Sequence, residues 1–283
     1  MIGAAISSPF ARRRNRGVLP GFGLTLGFTL FYLSVVVLIP ISALILKPWS
    51  LGVRGIVSVI AEPRVVAALE LSFGAAALAA LTNAVFGMLL AWTLVRYSFP
   101  LKRVMDALID LPFALPTAVA GIALSALYAQ NGWVGGPLSA LGIQVAYTPL
   151  GVFVALVFIG LPFVVRTLEP VLSDMSRDAE EAAATLGATR WQTMRRVVFP
   201  ALAPALITGT TLAFARAVGE YGSVIFIAGN LPMKSEIAPL LIVIKLQQYD
   251  YAGAAVIGLA MLAFSFVIIL ALNLVQSALS ARR

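Results

Sequence analysis

The sequence predicts an all-α, polytopic membrane protein of six transmembrane helices, with a charged helical loop between spans four and five. Three observations carry this reading. Residues are 60% hydrophobic and only 11% charged, against about 25% charged in a soluble globular domain. Uncharged or nearly uncharged windows long enough to cross a bilayer, about 20 residues each, recur along the chain. Lys and Arg gather in alternate connections, as the positive-inside rule requires.

The spans are expected at about 21–46, 68–95, 108–130, 146–168, 200–228 and 252–278, inside one transmembrane domain over 18–281. The stretch from Leu111 to Val165 is uncharged and long enough for two spans. Its middle, Asn131 to Pro137, is rich in Gly and closes on Pro, so the chain is expected to turn there. The fifth window is interrupted only by Arg216 and Glu220. The apolar run after the basic tail 1–17 is far longer than the roughly 7–15 residues of a signal-peptide core, so it reads as a retained first span.

Orientation follows from the cations. The tail carries Arg12, Arg13, Arg14 and Arg16; the second connection carries Arg96, Lys102 and Arg103. The fourth carries Arg166, Arg177, Arg190, Arg195 and Arg196, and the C-terminus carries Arg282 and Arg283. This heavier side is expected to be cytoplasmic, with both termini on it. The net charge of +8 therefore sits where it faces anionic lipid, and no nucleic-acid partner is expected. There is no Cys and no His. The commonest general base and metal ligand are thus missing, and neither a catalytic nor a metal site is expected.

The loop over 173–199 holds the longest charged stretch. Asp178 and Glu181 have the spacing of a capping box with Asp178 as N-cap, and Glu180 and Glu181 suit the positive end of a helix dipole. Ala182, Ala183 and Ala184 favour helix. Ala179, Ala183 and Leu186 share one face. Gly187 breaks the helix, and a second short run follows with Trp191, Met194 and Val198 as its apolar positions. Pro200 suits the first turn of span five. A solvated connector is the simplest alternative, but an apolar face with no span to cover it calls for a partner groove.

Glu181-Ala182-Ala183, three residues, Gly187, nine residues and Val197-x-Phe199-Pro200 resemble the EAA loop of ABC importer permeases, whose pattern ends I-x-L-P. Val197 and Phe199 depart from it while remaining apolar. The resemblance implies that Glu181, Ala182, Ala183, Gly187 and Pro200 belong to a coupling helix that docks on an ATPase subunit. The chain has no GxxxxGK[ST] phosphate loop, so ATP is expected on a separate partner, with no cofactor and no enzyme activity in this chain.

Span five contains Thr208-Gly209-Thr210-Thr211, and Arg216 and Glu220 stand four apart on one helical face. Ionisable groups at membrane depth mark function by default. Two readings stay open. Either the pair is a self-neutralising packing device, or Arg216 presents positive potential to an anion while Glu220 holds it. Glu70 and Asp110 read as solvated interfacial carboxylates.

The run Phe214 to Leu240, with Gly219-Glu220-Tyr221-Gly222-Ser223 and Gly229-Asn230-Leu231-Pro232-Met233-Lys234-Ser235-Glu236-Ile237, is similar to the T-type subunit of sulfate/thiosulfate importer permeases, binding-protein-dependent inner-membrane components of the type I importer fold. The run Asp110 to Thr117 resembles them as well. Molybdate permeases share parts of both runs, so another oxyanion is the alternative cargo. The resemblance implies a bacterial inner-membrane complex. Its other parts are a homologous W-type permease, two ATPase subunits and a periplasmic sulfate-binding protein. The binding protein is expected on the outer loops, at Asn230, Lys234 and Glu236. Arg216, Glu220, Thr210 and Ser223 are the pathway candidates. A membrane enzyme acting on lipid and a stand-alone channel or carrier are remote alternatives.

Overall fold

The structure, a computed structural model, describes residues 21–176 and 178–280. The basic tail 1–17, Arg177, Arg282 and Arg283 lie outside the described residues. Every regular element among the described residues is helical. Among the described residues, five helices are long and apolar enough to cross a membrane, at Phe22–Ile60, Pro63–Arg96, Pro149–Asp174, Arg190–Val218 and Tyr251–Leu274.

The chain divides into two compact units, residues 1–46 and 47–283. In the first, the helices Phe22–Leu33 and Ile39–Leu46 are joined by a π turn, Ser34–Leu38. A second π turn, Met194–Val198, lies in the other unit. Each ends two residues before a proline, Pro40 and Pro200. Proline has no N–H to donate, and its ring clashes with the carbonyl four residues back. The wider π turn makes room for the ring.

The core of the second unit is Pro63–Arg96 packed against Pro149–Asp174 and Phe199–Val218. Its contacts include many small residues, with Ala76, Ala79, Ala155 and Ala213 all buried. This suits helices that gain no hydrophobic driving force from lipid and must pack closely. The buried Asn83 donates from Nδ2 to Val157 O at 3.1 Å, and it fits only because residue 160 is Gly.

The third span differs most from expectation. It is built from Lys102–Ile109, Leu111–Ala114 and Thr117–Tyr128. Pro112 and Pro116 are the cause: Pro112 has no N–H to donate to the carbonyl four residues back, and Pro116 disfavours helical backbone in the residue before it. Leu115 is accordingly extended (ψ 136°). The uncharged window is as long as expected, but its backbone is interrupted. Span five also stops short of residue 228, ending at Val218 and resuming only as Val224–Ile227. Beyond it lies a further helix, Ala238–Gln247.

Candidate functional site

The charged loop folds as two helices with a sharp turn between them. Asp178–Thr185 is the first. Asp178 is already its first helical residue, so it stands one place inside the expected cap. Three acids in the first turn face the positive end of the dipole. The helix ends as the break at Gly187 required. Gly187 has φ +80°, Gly187 N–H donates to Ala184 O, and Ala188 N–H donates to Ala183 O at 3.0 Å. Those two bonds make a Schellman C-cap, which needs a left-handed residue.

The second half departs from expectation. Arg190 opens a helix capped by a reciprocal box, with Thr189 Oγ1 accepting from Gln192 N and Gln192 Oε1 accepting from Thr189 N. This helix runs through the π turn into Phe199–Val218 without a gap. The expected second short helix is therefore the start of span five, and Pro200 lies within it. The apolar positions divide accordingly: Val198 is buried and Met194 half-buried, while Trp191 is 71% exposed. Leu186 is 88% exposed. Glu181, Ala182 and Gly187 are exposed as well, and Pro200 is half-buried. The loop thus leaves Leu186 and Trp191, on either side of Gly187, exposed.

The second cluster lies where broken span three meets broken span five. A Cβ on Gly121 would lie 2.4 Å from the backbone oxygen of Ser223, and one on Gly222 would lie 2.1 Å from Thr117 Oγ1. The break in span five packs closely against the helix Thr117–Tyr128. Non-helical backbone at membrane depth occurs only where it is buried in protein or lines a cavity. Glu220 organises this junction. Its Oε1 accepts from Ser223 N and Ser223 Oγ, both at 2.9 Å, and its Oε2 meets Arg216 Nη1 at 2.5 Å. Glu220 and Ser223 are buried, and the Arg216 side chain is 35% exposed. Three of the four pathway candidates therefore form one unit. Thr210 stands six residues before Arg216, and its hydroxyl donates to Leu206 O in its own helix.

The loop after span five gives the three docking candidates different surroundings. Glu236 is buried and receives both Arg64 Nε and Nη2, at 2.8 and 2.7 Å, so it is an internal anchor. Asn230 donates to Ile225 O at 2.8 Å and holds a left-handed backbone, φ +54°. Its short polar side chain makes that conformation accessible, and its role is to shape the turn. Ser235 is buried, accepting from Leu231 N, and Ser72 Oγ accepts from Ala238 N. Only the tip, Leu231 to Lys234, is exposed.

Asp110 is likewise no free interfacial carboxylate. Both its oxygens accept from Arg166, which also binds Asp106 and Glu169. Arg64, Ser72, Arg96 and Arg166 escaped sequence reasoning because their partners are far away in the chain. Arg64 and Glu236, for instance, are 172 residues apart.

Residues 83–283 match the family described as binding-protein-dependent transport system inner membrane component. The chain is 51% identical over 249 residues to the probable sulfate transport system permease protein cysT of Nephroselmis olivacea, covering 88% of each. It is 47% identical over 268 residues to the sulfate transport system permease protein CysT of Escherichia coli (strain K12), covering 95% of this chain and 97% of the relative. Among solved structures it resembles a chain of a bacterial alginate ABC transporter in complex with alginate pentasaccharide-bound periplasmic protein. The TM-score is 0.72 at 19% identity, covering 89% of this chain and 92% of that one. This last likeness bears on the fold alone.

Proposed function

The chain belongs to the family of binding-protein-dependent transport system inner-membrane components, and from that premise we propose that it is the sulfate permease subunit of an ATP-driven importer. The similarity over nearly its whole length to permeases named for sulfate transport carries this reading. It is a multi-pass membrane protein and a transport subunit.

ATP is bound and hydrolysed by separate ATPase subunits, since the sequence has no phosphate loop of its own. These subunits receive the helix Asp178–Thr185 and the turn at Gly187, where Leu186 and Trp191 stand exposed. Glu181, Ala182 and Ala183 belong to this docking surface. A homologous W-type permease forms the other half of the pathway. A periplasmic sulfate-binding protein delivers cargo to the tip Leu231 to Lys234. The membrane is a bacterial inner membrane with both termini in the cytoplasm.

The junction of spans three and five is the pathway wall. Glu220 neutralises Arg216, so no net charge is left in the membrane between transport events. The exposed part of the guanidinium remains available to an oxyanion. Radiolabelled sulfate uptake by the reconstituted complex tests the reading. ATP-dependent uptake that requires the ATPase subunits and is competed by excess unlabelled sulfate is expected. Uptake that persists without the ATPase, or that molybdate competes better than sulfate, contradicts it.

A further inference from the structure

We propose that Arg96 is a positioning residue for transport, the strut that holds the coupling helix to the membrane bundle. The proposal rests on the coupling reading above. Arg96 is the last residue of Pro63–Arg96, and its side chain is only 11% exposed. Its Nη2 donates to Glu180 Oε1 at 2.7 Å and reaches Met175 O at 3.4 Å. Met175 is the C-cap of Pro149–Asp174. The guanidinium lies 5.4 Å from the Trp92 ring centroid, within cation–π range. One side chain therefore joins the end of span two, the end of span four and the coupling helix.

A pocket of about 550 Å³, lined by Trp92, Tyr97, Glu180, Ala184, Arg190 and Met194 among others, lies between the coupling helix, the end of span two and the start of span five. A helix beside a cavity has few apolar contacts resisting displacement, so the charge-assisted bond bears a larger share. Arg96 Nε is buried with no hydrogen-bond partner. A lone buried donor is costly.

The strut also leads onward. Residues 97–101 connect Arg96 to Lys102–Ile109, whose Asp106, with Asp110 just beyond, binds Arg166 of span four. A pull on Glu180 is thus delivered to span two and, through this short connector, to the first piece of broken span three.

The test uses the complete transporter, with its ATPase subunits and binding protein, reconstituted in vesicles. The quantity read is ATP hydrolysed per sulfate imported. Arg96→Gln and Glu180→Gln are each expected to raise it about tenfold, the scale of one charge-assisted bond, with the ATPase still bound. Arg96→Lys should recover part of the loss. A merely structural role would lower the amount of assembled transporter and leave this ratio unchanged. If Arg96→Gln fails to accumulate, Glu180→Gln decides. A wild-type ratio in Glu180→Gln overturns the proposal. Glu181→Lys separates the two claims. If it alone loses transport, the strut is wrong and coupling stands. If it also transports normally with the ATPase bound, the coupling reading itself fails.

Discussion

Two loops flank span five, and they are built in opposite ways. The loop before it exposes apolar side chains, Leu186 at 88% and Trp191 at 71%. The loop after it buries polar ones, Ser235 at 1% and Glu236 at 2%. The first is tethered to span two through Arg96 and Glu180 beside a cavity. The second is pinned by Arg64, Ser72 and the internal bonds of Asn230 and Ser235. The first loop leaves its apolar area open, and the second spends its polar groups on its own shape.

The strongest way to break the contrast is Gly187→Asp. Gly187 holds φ +80°, and a side chain there strains the C-cap and displaces Leu186. Sulfate uptake should fall about a hundredfold, since small misplacements of positioned groups have effects of that size. The protein should still reach the membrane, as the change is exposed and outside the core.

Next is Arg64→Gln. It leaves the Glu236 carboxylate buried without its cation, which costs about 3 kcal/mol, the low end for such a pair because Arg64 reaches solvent. The melting temperature of the detergent-solubilised protein should drop clearly. The matching cut in the first loop, Glu180→Gln, should move it far less. Equal drops would erase the distinction between the loops.

A smaller effect is expected at the exposed tip. Leu231→Ser should raise the concentration of binding protein needed for half-maximal uptake about threefold, as for a single interface residue of moderate weight, and leave melting unchanged.

The smallest concerns Asp250, which caps the helix Tyr251–Ser280. The Gly253 N–H and then Lys245 hold its carboxyl below the ordinary range. A depressed carboxylate contributes stability that is full above the unfolded value, about pH 3.9, and is lost as pH falls through the folded value. The melting difference made by Asp250→Asn should therefore be present at pH 7 and fade below about pH 4.

Much of this was legible in sequence wherever the relevant partners are close in the chain. Gly187, the acids of the first turn and the four-residue spacing of Arg216 and Glu220 could all be read locally. The interruption of span three was written in Pro112 and Pro116, yet hidden by an uncharged window that hydropathy reads as one helix. The role of Glu236 was not legible. Its motif position suggested an outer surface, while its burial depends on Arg64, 172 residues away. The Thr189–Gln192 box was overlooked in favour of the acids at Asp178, since both fit the same spacing rule and only backbone geometry separates them. Asp110 and Arg166 likewise pair across helices, where spacing carries no information.

The central claim is that the loop Asp178 to Pro200 meets an ATP-hydrolysing partner through its exposed apolar turn. The chain has no cysteine, so Leu186→Cys gives a single reporter at that turn. Maleimide labelling in membranes should be fast when the permease is expressed without the ATPase subunits. It should be suppressed when they are assembled, with sulfate uptake present only in the second case. Equal labelling in both states, alongside normal uptake, would contradict the account.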